Sequence, residues 1–266
     1  MTDEEELRKL SIGLFILCLA ATAFGEIDYA AERLRMVREQ LIVRDIKDER
    51  VLDVMSLVER HRFVTEMMKE YAYDDMVITI GEGETLAQPY SVALVAQLLE
   101  LKGKEKILEV GTGSGYQTAV LAELAKEVYT IESVGALKIE AEERFEALGY
   151  KNIRIKTGTA DEGWEEYAPF DDVVITYPIS YIPQKLIDQL KIGGKLIIRI
   201  GDRESSKALL VEKESGSKLK KCDFKGTLIA PVVGEKPTQE VARGSSGRSE
   251  NKKWKTVEGS KWKTKQ

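Results

Sequence analysis

With 266 residues, 43% of them hydrophobic and 32% charged, the chain has material for one full core and short tails rather than for two large domains. A formal net charge of −5 argues against a nucleic-acid binder as a whole, although the charge is unevenly spread along the chain. Two cysteines, Cys18 and Cys222, and a single histidine, His61, exclude a disulfide framework, a thiolate metal site and a histidine cluster, so no metal is expected.

The chain opens with acidic residues, then Arg8 and Lys9, then the apolar run SIGLFILCLAATAFG from Ser11 to Gly25. That run falls short of the ~20 residues of a bilayer-spanning helix but suits a signal-peptide core, and Ala21-Thr22-Ala23 resembles a cleavage site. The acidic start is a poor positively charged leader. Residues 1–25 are thus read either as a signal or membrane tether or as an ordinary helix, with the folded domain over 26–235. Two helical segments follow, AAERLRMVREQLIV and DERVLDVMSLVERHRFV, expected to cover one end of a sheet. His61 lies in the second; with no nucleophile or second histidine beside it, it reads as a structural residue near a helix end.

From Leu101 strands and helices alternate. KILEV, EVYTIE, NIRIKTG, DDVVITY and KLIIRIG are the expected strands, with helices beginning near Gln117, Gly135 and Pro183. This order predicts an α/β fold with a doubly wound parallel sheet and right-handed crossovers. ALLVEKE and KLKKCDFKGTLIA, separated by SGS, predict an antiparallel hairpin appended to it.

The segment ILEVGTGSGYQTAVLAEL places a glycine turn between a strand and a helix, a site for a nucleotide-like ligand. The glycines fall at Gly111, Gly113 and Gly115, and Tyr116 follows, so the G-x-G-x-x-G spacing of a dinucleotide fold is absent. Gly115-Tyr116-Gln117 also lacks the Gly-Lys-Ser/Thr ending of a P-loop. A ligand with an adenosine and no phosphate remains, and Glu132, after VYTI, is placed to accept from both ribose hydroxyls. S-adenosylmethionine fits that description; an ordinary strand-to-helix turn with an exposed glutamate is the competing reading.

Lys191-Ile192-Gly193-Gly194-Lys195-Leu196 resembles the L-K-x-G-G-x-L turn of class I S-adenosylmethionine-dependent methyltransferases, whose Rossmann-like sheet also ends in an antiparallel hairpin. Over about three quarters of its length, from Met36 to about Glu235, the chain resembles the protein-L-isoaspartate (D-aspartate) O-methyltransferases. The matching segments are MVREQLIVRDIKDERVLDVM, RHRFV, IGEGETLAQPYSVALVAQLLEL, the glycine loop, Gly163-Trp164, APFD and IPQKLIDQLKIGGKLI. The resemblance implies a protein carboxyl O-methyltransferase, monomeric and cytoplasmic, that methylates isoaspartyl residues of damaged proteins or peptides. It implies cofactor contacts at Glu109, Gly111, Gly113, Gly115, Glu132 and Thr159.

Four positions depart from the family pattern. Where the family has T-x-S before the proline, this chain has Thr85-Leu86-Ala87, so Ala87 replaces the active-site serine and Thr85 is left as the candidate catalytic hydroxyl. The family's G-D-G, with its aspartate on the adenine side, is Gly158-Thr159-Ala160 here. T-A-A becomes Thr176-Tyr177-Pro178, and P-x-G becomes Arg199-Ile200-Gly201. Tyr177 then fills space, and Arg199 offers a fork to a carboxylate. A methyltransferase with another acceptor, and a weakly active relative serving as a binding module, are the alternatives these changes leave open.

Residues 236–266 form a basic tail in which KWKT occurs twice, at Lys253 and Lys261. Little fixed structure is expected there. A solvated tail is the main reading, and contact with nucleic acid or an anionic membrane surface is the other.

Overall fold

The computed structural model describes residues 27–202 and 205–226. The apolar run from Ser11 to Gly25 and the basic tail from Lys236 lie outside the described residues. Helix α1 (Tyr29–Met36) is capped by Asp28, whose side chain accepts from the amides of Ala30 and Ala31. It continues through a π turn, Val37–Leu41, and a 3₁₀ turn, Ile42–Arg44, and stops at Asp45 in the left-handed conformation. Helix α2 (Glu49–Leu57), capped by Asp48, ends earlier than the sequence pattern predicts. Val58 turns extended, and a separate 3₁₀ turn, Arg60–Phe63, carries Arg60 fully into the interior. The helical spacing of the second segment is therefore interrupted because a buried guanidinium has to reach backbone carbonyls elsewhere.

A short antiparallel hairpin, β1 (Ile78–Gly81) and β2 (Glu84–Leu86), leads through Gln88 into helix α3 (Pro89–Leu99). Pro89 occupies the first helical position, where a missing N–H costs nothing. The main sheet comprises β3 (Lys106–Val110), β4 (Glu127–Glu132), β5 (Ile153–Thr157), β6 (Asp172–Ile179), β7 (Lys195–Ile200), β8 (Lys207–Ser215) and β9 (Lys218–Cys222). Their spatial order is β5-β4-β3-β6-β7-β8-β9. β3 through β7 pair in parallel, and β8 and β9 are antiparallel, as predicted. The connecting helices are α4 (Tyr116–Leu124), α5 (Gly135–Leu148) and α6 (Gln184–Gln189).

Side chains alternate across the sheet to make two cores. Ile107, Val174 and Ile197 belong to the core shared with α1–α5, while Leu108, Val173 and Leu196 belong to the core beneath α6. The strand order reverses between β3 and β6, so a crevice opens over the C-terminal ends of those two strands, where open α/β sheets bind ligands. Among the described residues no helix is long and apolar enough to cross a membrane.

Candidate active site

The crevice holds a cavity of about 360 Å³, within the range of small-molecule sites. One wall is the glycine loop after β3 together with the end of β4. At Gly111 (φ +99°) a Cβ would overlap the Thr176 hydroxyl and lie 2.9 Å from the Tyr177 ring, so only glycine fits. The Gly113 N–H donates to Glu132 Oε2 at 2.8 Å, and the Val134 N–H donates to Glu132 Oε1 at 3.0 Å. Glu132 is buried yet lines the cavity, and each oxygen keeps a second acceptor direction after holding one amide. The loop and the glutamate thus fix each other before any ligand arrives. Ser114 carries a buried hydroxyl without a hydrogen-bond partner, on the same wall.

Gly115 does not line the cavity. It sits at the N-cap of α4 with φ +88°, and a Cβ there would press 2.6 Å from the Phe145 ring. Its role is to let α4 close against α5. Glu109, predicted as a cofactor contact, is likewise not on the cavity wall. It is fully buried behind the loop and accepts from Gln117 Nε2 at 3.0 Å, Thr130 Oγ1 at 2.9 Å and the Thr118 hydroxyl. Burial, with Glu132 nearby, pushes its carboxyl up to about 7, against those three donors. Glu109 shares the face of Ile107, two residues earlier, and that alternation was the available clue that it points under α4.

The opposite wall is built by Glu84, Thr85, Leu86 and Ala87 of the hairpin and its exit, by Ser91, Val92 and Val95 of α3, and by Arg199 of β7. Arg60 fixes the exit of that hairpin, donating from Nη2 to the Ala87 carbonyl at 2.6 Å and from Nε to the Ala72 carbonyl at 2.7 Å. Its guanidinium lies 4.7 Å from the centre of the Tyr116 ring, and burial lowers its pKa to about 10. Arg199 donates to the carbonyl of Ser206 at 2.9 Å and to its hydroxyl at 3.0 Å, so Ser206 holds the fork that the sequence offered whole to a ligand. Burial lowers the pKa of Arg199.

Thr159 and Tyr177 both line the cavity, at the ends of β5 and β6. Thr176 is committed to the loop, donating to the Gly111 carbonyl at 2.8 Å. His61 lies away from the cavity, stacked on Tyr29 with centroids 4.0 Å apart and with Nδ1 2.8 Å from the Tyr73 hydroxyl. Ser91, Ser114 and Arg60 are site features that sequence reasoning missed: the role of Arg60 arises from contacts between distant segments, and the burial of the two serine hydroxyls is set only by the folded chain.

The residues fit an adenosine-bearing sulfonium ligand. A loop where a Cβ cannot fit, an anchored carboxylate and an orphaned hydroxyl form one wall, and no lysine lines the cavity among the described residues.

Residues 32–237 match the family model described as protein-L-isoaspartate(D-aspartate) O-methyltransferase. The chain is 44% identical to protein-L-isoaspartate O-methyltransferase 2 of Geotalea uraniireducens, over 76% of this chain and 93% of that protein. It is 46% identical to protein-L-isoaspartate O-methyltransferase 1 of Syntrophobacter fumaroxidans, over 79% of this chain and 97% of that protein. Among solved structures it superposes on a Plasmodium falciparum protein described as a protein-L-isoaspartate O-methyltransferase, in complex with S-adenosyl-L-homocysteine. That match has a TM-score of 0.62 and 25% identity and covers 75% of this chain and 98% of that one.

Proposed function

The chain belongs to the protein-L-isoaspartate(D-aspartate) O-methyltransferase family, and on that premise we propose that it methylates the carboxylate of isoaspartyl residues in damaged proteins and peptides. The observation that carries this reading is the wall in which Glu132 holds the Gly113 amide while Gly111 lies against Thr176 and Tyr177. S-adenosylmethionine supplies a sulfonium-bound methyl group, which passes to a carboxylate oxygen to give a methyl ester and S-adenosylhomocysteine.

Gly111, Gly113, Ser114, Glu132 and Thr159 are the residues proposed to hold the cofactor, with Glu132 accepting from the ribose hydroxyls. Glu109 and Gly115 support that wall from behind. On the other side Thr85 and Arg199 face the acceptor, and Arg199 contributes positive charge beside an incoming carboxylate.

A carboxylate with a pKa of about 3.9 is an anion at neutral pH, so the chain needs no general base to activate it. This agrees with a cleft wall on which no histidine or cysteine stands among the described residues. What the residues must do is orient. Positioning two reactants for attack supplies roughly 7–11 kcal/mol, and a wall locked before binding contributes that without further ordering.

A cofactor made inside cells favours a cytoplasmic domain. The test is transfer of labelled methyl from S-adenosylmethionine to an isoaspartyl peptide and to its aspartyl twin. Label on the first alone is expected; binding of the cofactor with neither peptide labelled would mean another acceptor.

A further inference from the structure

Two hydroxyls on the cavity wall are buried without a hydrogen-bond partner, those of Ser91 and Ser114. Burying a hydroxyl unpaired is unfavourable, so such groups point to a ligand that completes them. Several other hydroxyls on the wall are engaged, and those of Thr85, Ser133 and Thr159 sit on residues that are not buried. Thr176 donates to Gly111, Thr112 and Thr130 pair at 2.7 Å, and Tyr177 accepts from the Ala160 amide. Ser114 belongs to the glycine loop and therefore to the cofactor wall. Ser91 stands on the other wall, in the first turn of α3, beyond Thr85 and Ala87.

Resting on the methylation proposed above, we infer that the Ser91 hydroxyl donates to the acceptor carboxylate, serving from the first turn of α3 the position left without a hydroxyl at Ala87. The surroundings call for such a donor. Val92, Val95, Val174 and Ile197 line the cavity beside Ser91, and a carboxylate entering there leaves water behind. Ser91 is only 5% exposed, so water does not satisfy its hydroxyl from outside the cleft.

The helix start adds to the case. The amides of Tyr90 and Ser91 have no carbonyl one turn back within α3, and Gln88 makes no side-chain cap. The start of this eleven-residue helix is thus a region of partial positive charge beside the hydroxyl.

The experiment titrates the full chain with an isoaspartyl peptide by calorimetry in saturating S-adenosylhomocysteine, so that binding is read without turnover. Ser91→Ala should weaken peptide binding by about tenfold to a hundredfold and leave S-adenosylhomocysteine affinity within about twofold. It should melt no lower than the wild type, because it deletes an unpaired buried group; a hydroxyl that served the fold would lower the melting temperature instead. Ala87→Ser placed in the Ser91→Ala background should recover most of the lost peptide affinity. Peptide affinity unchanged in Ser91→Ala overturns the inference while leaving the methylation reading intact, as does a parallel loss of S-adenosylhomocysteine binding. Failure of Ala87→Ser to restore affinity overturns the claim that the two positions serve one carboxylate. A wild type that binds S-adenosylhomocysteine but neither binds nor methylates the isoaspartyl peptide overturns the methylation reading itself.

Discussion

The two walls of the cleft are organised differently. On the cofactor wall the groups are fixed by short links in one unit: the loop follows β3, Glu132 ends β4, and the two are joined by the 2.8 Å bond from the Gly113 amide. On the acceptor wall the hairpin, α3 and β7 are brought together by contacts across the chain, such as Arg60 on the Ala87 carbonyl and Arg199 on Ser206. One wall is a local motif, and the other is a tertiary assembly. Its chemistry can therefore change residue by residue, as at Ala87 and Arg199, while the cofactor side keeps its glycine loop and Glu132 even though Thr159 stands where the family has an aspartate.

The sharpest way to break this contrast is Gly111→Ala. A Cβ there overlaps Thr176 and crowds Tyr177, and the backbone sits in a conformation that alanine avoids. Cofactor affinity should fall by about a thousandfold or more, ~4 kcal/mol, in a calorimetric titration with S-adenosylhomocysteine. An affinity within tenfold of wild type would mean that the wall yields to a Cβ and is not rigid.

On the acceptor wall the corresponding change is Arg60→Met. It keeps the apolar stem but leaves the carbonyls of Ala72 and Ala87 buried without their donor. Urea unfolding should show a loss of about 3 kcal/mol, since breaking a buried charged hydrogen-bond cluster typically costs ~3–5. The KM for isoaspartyl peptide should rise by more than cofactor affinity falls, because the guanidinium's hydrogen bonds go to the Ala72 and Ala87 carbonyls and only its contact with the Tyr116 ring reaches the glycine-loop side. Equal losses in both would erase the distinction between the walls.

This difference also decided what could be read from the sequence. The parallel strands, the terminal hairpin, the glycine turn and Glu132 were legible because each is encoded within about ten contiguous residues by period, apolar run or glycine spacing. The hairpin β1–β2 was not, since its strands have four and three residues, too few for the alternation of Ile78, Thr79 and Ile80 to stand out. The helical period of DERVLDVMSLVERHRFV predicted one helix, and the chain leaves it at Leu57 so that Arg60 can bridge two distant carbonyls. The Ser206 partner of Arg199 lies seven residues away across a strand turn, which the composition of either segment does not reveal.

Within the cofactor wall, Glu132→Ala tests whether the carboxylate meets the ligand or only braces the loop. A ribose contact is worth ~1.5–3 kcal/mol as a charge-assisted bond, so affinity for S-adenosylhomocysteine should drop about tenfold to a hundredfold. Glu132→Gln should lose less, because its single carbonyl oxygen still accepts from one partner. If both variants bind as wild type does, the residue is only a brace for Gly113 and Val134.

The smallest effect concerns Glu109, behind that wall. Its folded carboxyl titrates near 7, above the ordinary 4.5, because burial disfavours the anion. A raised acid favours the protonated folded state, so its contribution to stability is fully present below about pH 4.5 and is lost as pH rises through about 7. Glu109→Gln removes that titration while keeping an acceptor for Thr130 and the Thr118 hydroxyl. The stability difference, variant minus wild type, should therefore grow by about 1–2 kcal/mol between pH 5 and pH 8, read from urea unfolding at steps across that window. Asp172, also raised by burial, to about 6, and His61, lowered by burial, titrate in both proteins and cancel in the difference. Part of the Glu109 shift comes from the charge of Glu132, so the same pH series in a Glu132→Ala background should show a smaller change. Parallel curves for the two proteins across the window would mean that the three donors on Glu109 hold it as an anion throughout, and that the wall is fixed by hydrogen bonds alone.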